Sequence, residues 1–244
     1  MISIQLVVVA GAFAGGFVSG LTGFGTGLTA LPFWLIAVTP QLASPLVVVC
    51  SLVSQLGTLP AIWHAIDFAR VRPLIIGGLI GVPIGTLLLP HVPVGVFRAG
   101  VGTLLIIYCS FLLISSMRFQ LKWGGRIADG VVGLGGGVLG GLAGLSGPLP
   151  TIWAGLRGWG KDAKRGVFQA YNVSILLFAL ISQSMAGLMT AELGSLFLVA
   201  LPGTVGGAWL GRHLYTRLSD RRFDYAVLIL LLISGFSLVL SVIR

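Results

Sequence analysis

The sequence predicts an all-α polytopic membrane protein made of two inverted repeats with four segments each. Three observations support this prediction: an extreme apolar composition, a series of apolar segments of membrane length, and a glycine-rich stretch that occurs twice. Of the 244 residues, 56% are hydrophobic and only 9% are charged, and the mean hydropathy is +1.05. Soluble domains carry far more charge, so nearly the whole chain is expected to lie in a lipid bilayer.

Polar breaks divide the chain into eight apolar segments: 2–38, 42–63, 73–90, 94–116, 130–156, 166–186, 193–211 and 225–243. Six of them suit single spans, because a helix needs roughly 20 residues to cross the hydrocarbon core. The first and fifth segments are too long and carry glycine clusters near their middles. Each is therefore predicted to be a broken, re-entrant helix hairpin, followed by three transmembrane helices.

The basic residues test whether the fifth segment folds back, because Lys and Arg accumulate in cytoplasmic loops. If this segment crosses once, large positive loops lie on both sides. If it is a hairpin, loops 64–72, 117–129, 157–165 and 212–224 share one face and hold thirteen of the fifteen Lys and Arg residues. The hairpin is therefore predicted, with these four loops in the cytoplasm.

An internal repeat supports the same topology. GLTGFGTGL at 20–28 aligns with GLAGLSGPL at 141–149, and Gly81 and Gly85 align with Gly203 and Gly207. The four-residue spacing of these glycines is typical of closely packed membrane helices. One hairpin and three spans place the halves in opposite orientations, which predicts a first repeat at 1–119, a basic linker at 120–129 and an inverted repeat at 130–244.

The hairpin tips, residues 20–27 and 143–148, are the predicted binding site, because inverted repeats bring broken helices together near the bilayer midplane. The N-terminus of each second arm exposes N–H donors and positive dipole charge, which favour an anion. Pro148 and Pro150 suit the first turn of such an arm, and Ser146 is predicted to cap it. Glycines allow close backbone approach and hydroxyls add donors. The candidate residues here are Thr22, Gly23, Gly25, Thr26, Gly144, Ser146 and Gly147.

Polar residues within two neighbouring segments complete the candidate set: Ser51, Gln55, Arg165, Gln169 and Asn172. The last three are spaced four and three residues apart, so they share a helix face. Arg165 either attracts an anion or only sets orientation, and the hydroxyls and amides either bind substrate or join helices. A purely structural role for the tips is the corresponding alternative.

Several kinds of chemistry find no support in the sequence. Cys50 and Cys109 lie in apolar runs and predict packing, no cluster of ligands for a metal or cofactor is present, and the basic loops serve orientation, not nucleic-acid binding. Nothing indicates an enzyme or a homo-oligomer. All six acidic residues lie in loops or at segment ends. Without a carboxylate to carry protons, and with a negative cell interior expelling anions, export is favoured.

The duplicated starts GGFVSGLTGFGTG and GGVLGGLAGLSGP, the third segments GGLIGVPIGTLL and LPGTVGGAWLG, the link HAIDFARVRP and the final FDYAVLILLLISG resemble the sulfite exporter TauE/SafE family, also grouped as toluene sulfonate uptake permeases. The resemblance covers nearly the whole chain. It implies transport of sulfite, sulfoacetate or another sulfonate across a bacterial inner membrane. The hypothesis is an exporter that binds a small anion at the tips and alternates access between its halves.

Two alternatives belong to other functional classes. The first is a passive anion channel built on paired re-entrant helices, which saturation of transport would distinguish from a carrier. The second is an intramembrane serine protease, because GLSG at 144–147 matches a rhomboid-type nucleophile context. That mechanism needs a histidine near Ser146, whereas His64, His91 and His213 all lie in loops or at segment ends.

Overall fold

The structure, a computed structural model, describes residues 4–56, 67–114, 124–159 and 161–215, with isolated positions between 232 and 242. Within these ranges the secondary structure is helical. The α-helices are α1 (Ile4–Thr22), α2 (Thr26–Ala37), α3 (Pro40–Leu56), α4 (Phe68–Leu88), α5 (Val94–Ile114), α6 (Gly125–Ala143), α7 (Pro148–Leu156), α8 (Lys161–Met185) and α9 (Ala191–Tyr215), and a short 3-10 helix covers Leu89–His91. Most of the predicted eighth segment, 225–243, lies outside the described residues.

Five of the described helices are long and apolar enough to cross a membrane: α1, α4 with the following 3-10 turn, α5, α8 and α9. The second arms are shorter. α2 has 12 residues and α7 has 9, which correspond to about 18 and 14 Å of helix. Neither is long enough to cross a hydrocarbon core of about 30 Å.

Three helices, α4, α6 and α8, begin five residues earlier than the hydropathy pattern predicts. α4 begins at Phe68, where Asp67 caps it by accepting hydrogen bonds from the amides of Ala69 and Arg70 at 3.1 and 3.3 Å. This cap satisfies amides that would otherwise have no acceptor. Pro73 therefore lies inside the helix. α8 begins at Lys161 instead of residue 166, because its first turn is polar and gives no hydropathy signal.

The first long segment is broken into the antiparallel pair α1 and α2. The indole Nε1 of Trp34 donates a hydrogen bond to the carbonyl oxygen of Val8 at 3.0 Å. Nearer the break, Gly15 lies so close to α2 that a Cβ there would come within 2.8 Å of the Thr26 carbonyl oxygen and 3.1 Å of Ala30 Cβ. Small residues on α1 thus let α2 fold back along it, as predicted.

The fifth segment forms a second antiparallel pair, α6 and α7. Near its open end, the indole Nε1 of Trp153 donates to Asp129 Oδ1 at 2.7 Å. Asp129 is 6% exposed and lies one turn inside α6. The prediction that every acidic residue lies in a loop or at a segment end is therefore wrong for Asp129. The first residues of α6 are polar, so hydropathy did not assign them to the helix. The Trp153 indole supplies the donor that the buried Asp129 side chain needs.

We expect Trp153→Phe to destabilise the protein by about 2 kcal/mol, because it leaves a buried carboxylate without its indole donor. Thermal unfolding of the purified protein in detergent measures this loss. In the double variant Asp129→Ala/Trp153→Phe, most of the loss caused by Trp153→Phe should disappear. Additive effects of the two substitutions would show that the pair does not interact.

Each hairpin packs against a helix of the other half of the chain. α6 lies along α4, where a Cβ at Gly81 or Gly85 would overlap carbonyl oxygens of α6. α1 lies along α9, where a Cβ at Gly207 would overlap the Phe13 carbonyl oxygen and one at Gly203 would lie 2.9 Å from the Val9 carbonyl oxygen. The packing role predicted for these four glycines is confirmed, because only a residue without a side chain allows such close contact.

The two hairpins open towards opposite ends of the molecule. The C-terminal end of α2 meets the start of α5, where the Arg98 guanidinium donates to the Leu35 carbonyl oxygen. At the other end, the Arg70 guanidinium at the start of α4 lies 5.4 Å from the Trp159 ring, just after α7. A short link joins the end of α4 to the start of α5, so the start of α4 lies a full helix length away from the start of α5. The starts of α4 and α5 therefore lie at opposite ends. The tips therefore point towards each other.

Candidate functional site

A small, partly open cavity lies where the two hairpin tips meet. Helices α3 and α8 close its sides, and α8 contributes Asn172 and Leu176 from near its middle. Seven of the twelve predicted site residues line this cavity: Gly25, Thr26, Ser51, Gln55, Gly144, Gly147 and Asn172. The fold thus brings together groups that are up to 147 positions apart in the sequence.

The first tip is built by two glycines in the left-handed region. Gly23 has φ 82° and its amide closes the last turn of α1 by donating to the Ser19 carbonyl oxygen at 2.8 Å. Gly25 has φ 98° and is the N-cap of α2. L-residues with side chains rarely adopt these angles. The reversal between α1 and α2 therefore requires glycine at both positions.

The N-terminus of α2 presents backbone donors to the cavity. The amides of Thr26, Gly27 and Leu28 precede the first intrahelical bond, in which Thr29 donates to the Gly25 carbonyl oxygen at 3.1 Å. Gly25 has no side chain to cap them, and all three residues line the cavity. Amides of this kind, together with the positive end of the helix dipole, favour an anionic group.

The second tip has a different cap from the predicted one. Gly144, with φ 68°, ends α6, and Gly147 is the N-cap of α7. The predicted capping role of Ser146 is wrong, because its hydroxyl bonds to another helix. Pro148 begins α7 as predicted. Pro148 and Pro150 have no amide hydrogen, so the first turn of α7 offers fewer donors than that of α2.

Local geometry refines the alignment of the two tips. Gly23 and Gly144 end their helices at a spacing of 121, whereas the N-caps Gly25 and Gly147 are 122 apart. The hydroxyls of Thr29 and Thr151 also match at 122, since each donates to its N-cap carbonyl oxygen, at 3.2 and 2.8 Å. The second tip therefore holds one extra residue. The predicted alignment of Leu28 with Leu149 is off by one residue, because the spacing after the tips is 122 and not 121.

The hydroxyl of Thr26 bonds to the protein. Ser54 Oγ donates to the Ser51 carbonyl oxygen at 2.9 Å and lies 3.0 Å from Ser19 Oγ and 3.1 Å from Thr26 Oγ1. A hydroxyl has one hydrogen, so Ser19 and Thr26 both donate to Ser54. The role of the Thr26 hydroxyl as a donor for substrate stays a prediction, and here the hydroxyl is bonded to Ser54. The hydroxyl network fixes the start of α2 against α3.

Ser146 is likewise committed to a protein partner, because its hydroxyl donates to Asn172 Oδ1. Its role as a substrate donor stays a prediction. Asn172 also lines the cavity, and its side-chain amide nitrogen carries two hydrogens that can donate. The described histidines lie elsewhere: His91 bonds the Leu87 carbonyl oxygen and His213 stacks on Trp209. His64 lies outside the described residues.

The remaining predicted residues surround the cavity or cannot be placed. Gln169 is buried, and its Oε1 lies 3.7 Å from where a Cβ on Gly23 would stand. The side chains of Thr22 and Arg165 lie outside the described residues. The sequence reasoning missed the apolar lining residues Leu28 and Leu176, and within the predicted tips it did not single out Phe24, Leu145 and Pro148 as lining residues. Of these, only Phe24 carried a signal, as the single aromatic residue within a glycine tip.

Comparison with known proteins gives one match. No curated protein and no solved structure matches the chain. A family model described as Sulfite exporter TauE/SafE matches residues 7–238, in agreement with the resemblance of the sequence motifs and with the long apolar helices of a multi-pass membrane protein. The chain therefore belongs to the sulfite exporter TauE/SafE family of membrane transporters.

Proposed function

We propose that this protein exports a small sulfur oxyanion, such as sulfite, sulfoacetate or another sulfonate, across the cell inner membrane. In this proposal the anion binds in the cavity between the hairpin tips, and access alternates between the two sides of the bilayer. The observation that carries the proposal is that both tips, from opposite ends of the molecule, line one cavity. Broken helices that meet in this way are typical substrate sites of transporters.

The donors around the cavity favour an anion over a cation. The uncapped start of α2 and the side-chain amide of Asn172 line it, while the hydroxyls of Thr26 and Ser146 bond to Ser54 and Asn172. Because prolines remove donors from α7, we propose that the anionic oxygens bind mainly at the start of α2. The apolar lining from Phe24 and Leu176 suits the carbon portion of a sulfonate.

An alternating mechanism requires two related halves, which we propose to be residues 1–119 and 130–244, joined by the linker 120–129. Their contacts differ by one helical turn. Gly81 faces the carbonyl oxygen of Leu134, and the counterpart of Leu134 in the first half, at a spacing of 121, is Phe13. Gly203, the counterpart of Gly81, faces the carbonyl oxygen of Val9 instead of that of Phe13. One turn is about 5.4 Å. If the α1–α9 contact took the register of the α4–α6 contact, and the reverse, the cavity opening would move from one side of the bilayer to the other.

The proposed sidedness places loops 64–72, 117–129, 157–165 and 212–224 in the cytoplasm. Residues 64–66, 117–123, 160 and 216–224 lie outside the described residues. In the described parts, the starts of α4 and α6 and the end of α7 lie together, with Arg70 on the Trp159 ring and Gly124 beside Arg157. This clustering of basic ends supports the positive-inside orientation. An anion leaving a negative interior gains about 2.3 kcal/mol per charge per 100 mV, which favours export.

We expect proteoliposomes containing the protein to move labelled sulfite, sulfoacetate or another sulfonate at a rate that saturates and follows an imposed potential. Asn172→Ala should raise the half-saturating concentration about tenfold, because one donor is lost. Ser184→Ala is the control: Ser184 lies on the same helix, is exposed, and its hydroxyl donates to the Leu180 carbonyl oxygen. Flux that never saturates would identify a channel, and failure to move any sulfur anion would reject the proposal.

A further inference from the structure

A second polar cluster, outside the anion cavity, contains buried oxygen atoms that have no hydrogen-bond partner among the described residues. At its centre is Gln183 of α8, which is completely buried. Its Nε2 donates to the carbonyl oxygen of Gly141 at 2.9 Å and to Ser44 Oγ at 3.2 Å. The Gly141 carbonyl fixes the orientation of the amide, since it can only accept. The buried Gln183 Oε1 then has no hydrogen-bond partner among the described residues.

Thr86 of α4 holds a second buried oxygen of this kind, on a helix that packs against Gly141. It is 1% exposed, and its Oγ1 has no hydrogen-bond partner in the described part of the chain. Thr29, Thr151 and Thr204 instead return the hydroxyl to a carbonyl oxygen four residues earlier, as Thr204 does to Ala200 at 3.1 Å. Thr86 lies against the same residue that Gln183 contacts, because a Cβ on Gly141 would be 2.9 Å from the Thr86 amide nitrogen.

Helix packing does not require the Thr86 hydroxyl. The residue of α9 at a spacing of 122 is Ala208, which also packs against a glycine of a hairpin helix, one turn away: a Cβ at Gly16 of α1 would lie 3.1 Å from the Ala208 amide nitrogen. A close helix contact of this kind is thus made by an alanine in one half and a threonine in the other. The hydroxyl is therefore available for another purpose.

The electrostatics of the cluster favour a positive charge. Gly141 lies in the last turn of α6, which ends at Ala143, where the helix dipole is negative and the final carbonyls have no helical donor. Buried polar atoms without partners usually mark a bound water or ion. The cluster contains no carboxylate, so the neutral oxygens suit a monovalent cation better than a divalent one.

We propose that Gln183 Oε1, Thr86 Oγ1 and Ser44 Oγ, at the C-terminus of α6, form a binding site for a sodium ion. The site is separate from the anion cavity. It lies near the C-terminal ends of α4 and α8. Gln183 comes after the cavity-lining Leu176 along α8. Any effect of this ion on transport rests on the proposed function, whereas its binding does not.

Thermal unfolding of the purified full-length protein in detergent tests the binding. At constant ionic strength, NaCl should raise the Tm by several degrees relative to KCl and choline chloride, because a ligand that binds only the folded state stabilises it. Thr86→Ala should require about tenfold more sodium for the same shift, as expected for one lost ligand. Thr86→Ser keeps the hydroxyl and should respond like wild type.

Two results would overturn the sodium site. Equal Tm values in NaCl, KCl and choline chloride for the wild type would mean that the oxygens bind only water. An equal loss of sodium response in Thr204→Ala, whose hydroxyl is bonded within α9, would mean that the variants act through stability alone. These measurements need no transport, so sodium binding without any sulfur-anion flux would reject the proposed function and leave the site intact.

Discussion

Replacement of Gly207 by alanine is expected to destabilise the protein by roughly 3 kcal/mol, at the upper end of the usual cost of overpacking. A Cβ at this position of α9 would overlap the Phe13 carbonyl oxygen and lie 2.8 Å from the Phe17 amide nitrogen. Both obstacles are backbone atoms of α1. They cannot rotate away as a side chain can, so the two helices would have to separate along their contact.

The neighbouring residue provides a matched control. Gly206 lies on the same helix, and a Cβ there would meet no atom within 4 Å. Gly206→Ala removes one glycine from the same helix interior without touching α1, so its Tm should equal or slightly exceed that of the wild type. The measurement is thermal unfolding of both variants in detergent. Similar Tm values for the two variants would show that the α1–α9 contact does not hold the hairpin in place.

The sequence was sufficient to predict which helices pack closely and where the chain reverses. Gly81, Gly85, Gly203 and Gly207 were predicted to pack from spacing alone, because only small residues allow two membrane helices to approach. The breaks near residues 23 and 144 followed from segment length. The early start of α4 did not, since Asp67 acts through hydrogen bonds that hydropathy does not register.

The site was predicted less completely, because its chemistry depends on partners that are distant in the sequence. Backbone position could be predicted: Gly25 and Gly147 are the N-caps of the second arms and line the cavity. Hydroxyl direction could not, because Thr26 pairs with Ser54 and Ser146 with Asn172 across different helices. A hydroxyl within a predicted tip is equally able to bind substrate or a neighbouring helix until the fold places its neighbours.

Filling the cavity from the second tip gives the largest expected loss of transport. Gly147 has φ −75°, so a side chain there causes no backbone strain, whereas Gly25, with φ 98°, would be strained by any substitution. The nearest atoms to a Cβ on Gly147 are Phe24 Cδ2 at 3.4 Å and Asn172 Oδ1 at 3.9 Å. Gly147→Leu therefore places its extra carbons in the cavity.

We expect Gly147→Leu to reduce sulfur-anion flux in proteoliposomes roughly 100-fold, equivalent to about 2.7 kcal/mol of lost binding, with the folded protein retained. Gly147→Ala, which adds one methyl group at ordinary contact distance, should give an intermediate loss. Gly155→Leu changes a glycine of the same short helix with no atom within 4 Å and should transport normally. This grading separates blockage from misfolding, because a structural defect would lower the Tm along with the flux. Normal flux in Gly147→Leu would place the anion elsewhere, since the leucine and the anion need the same space.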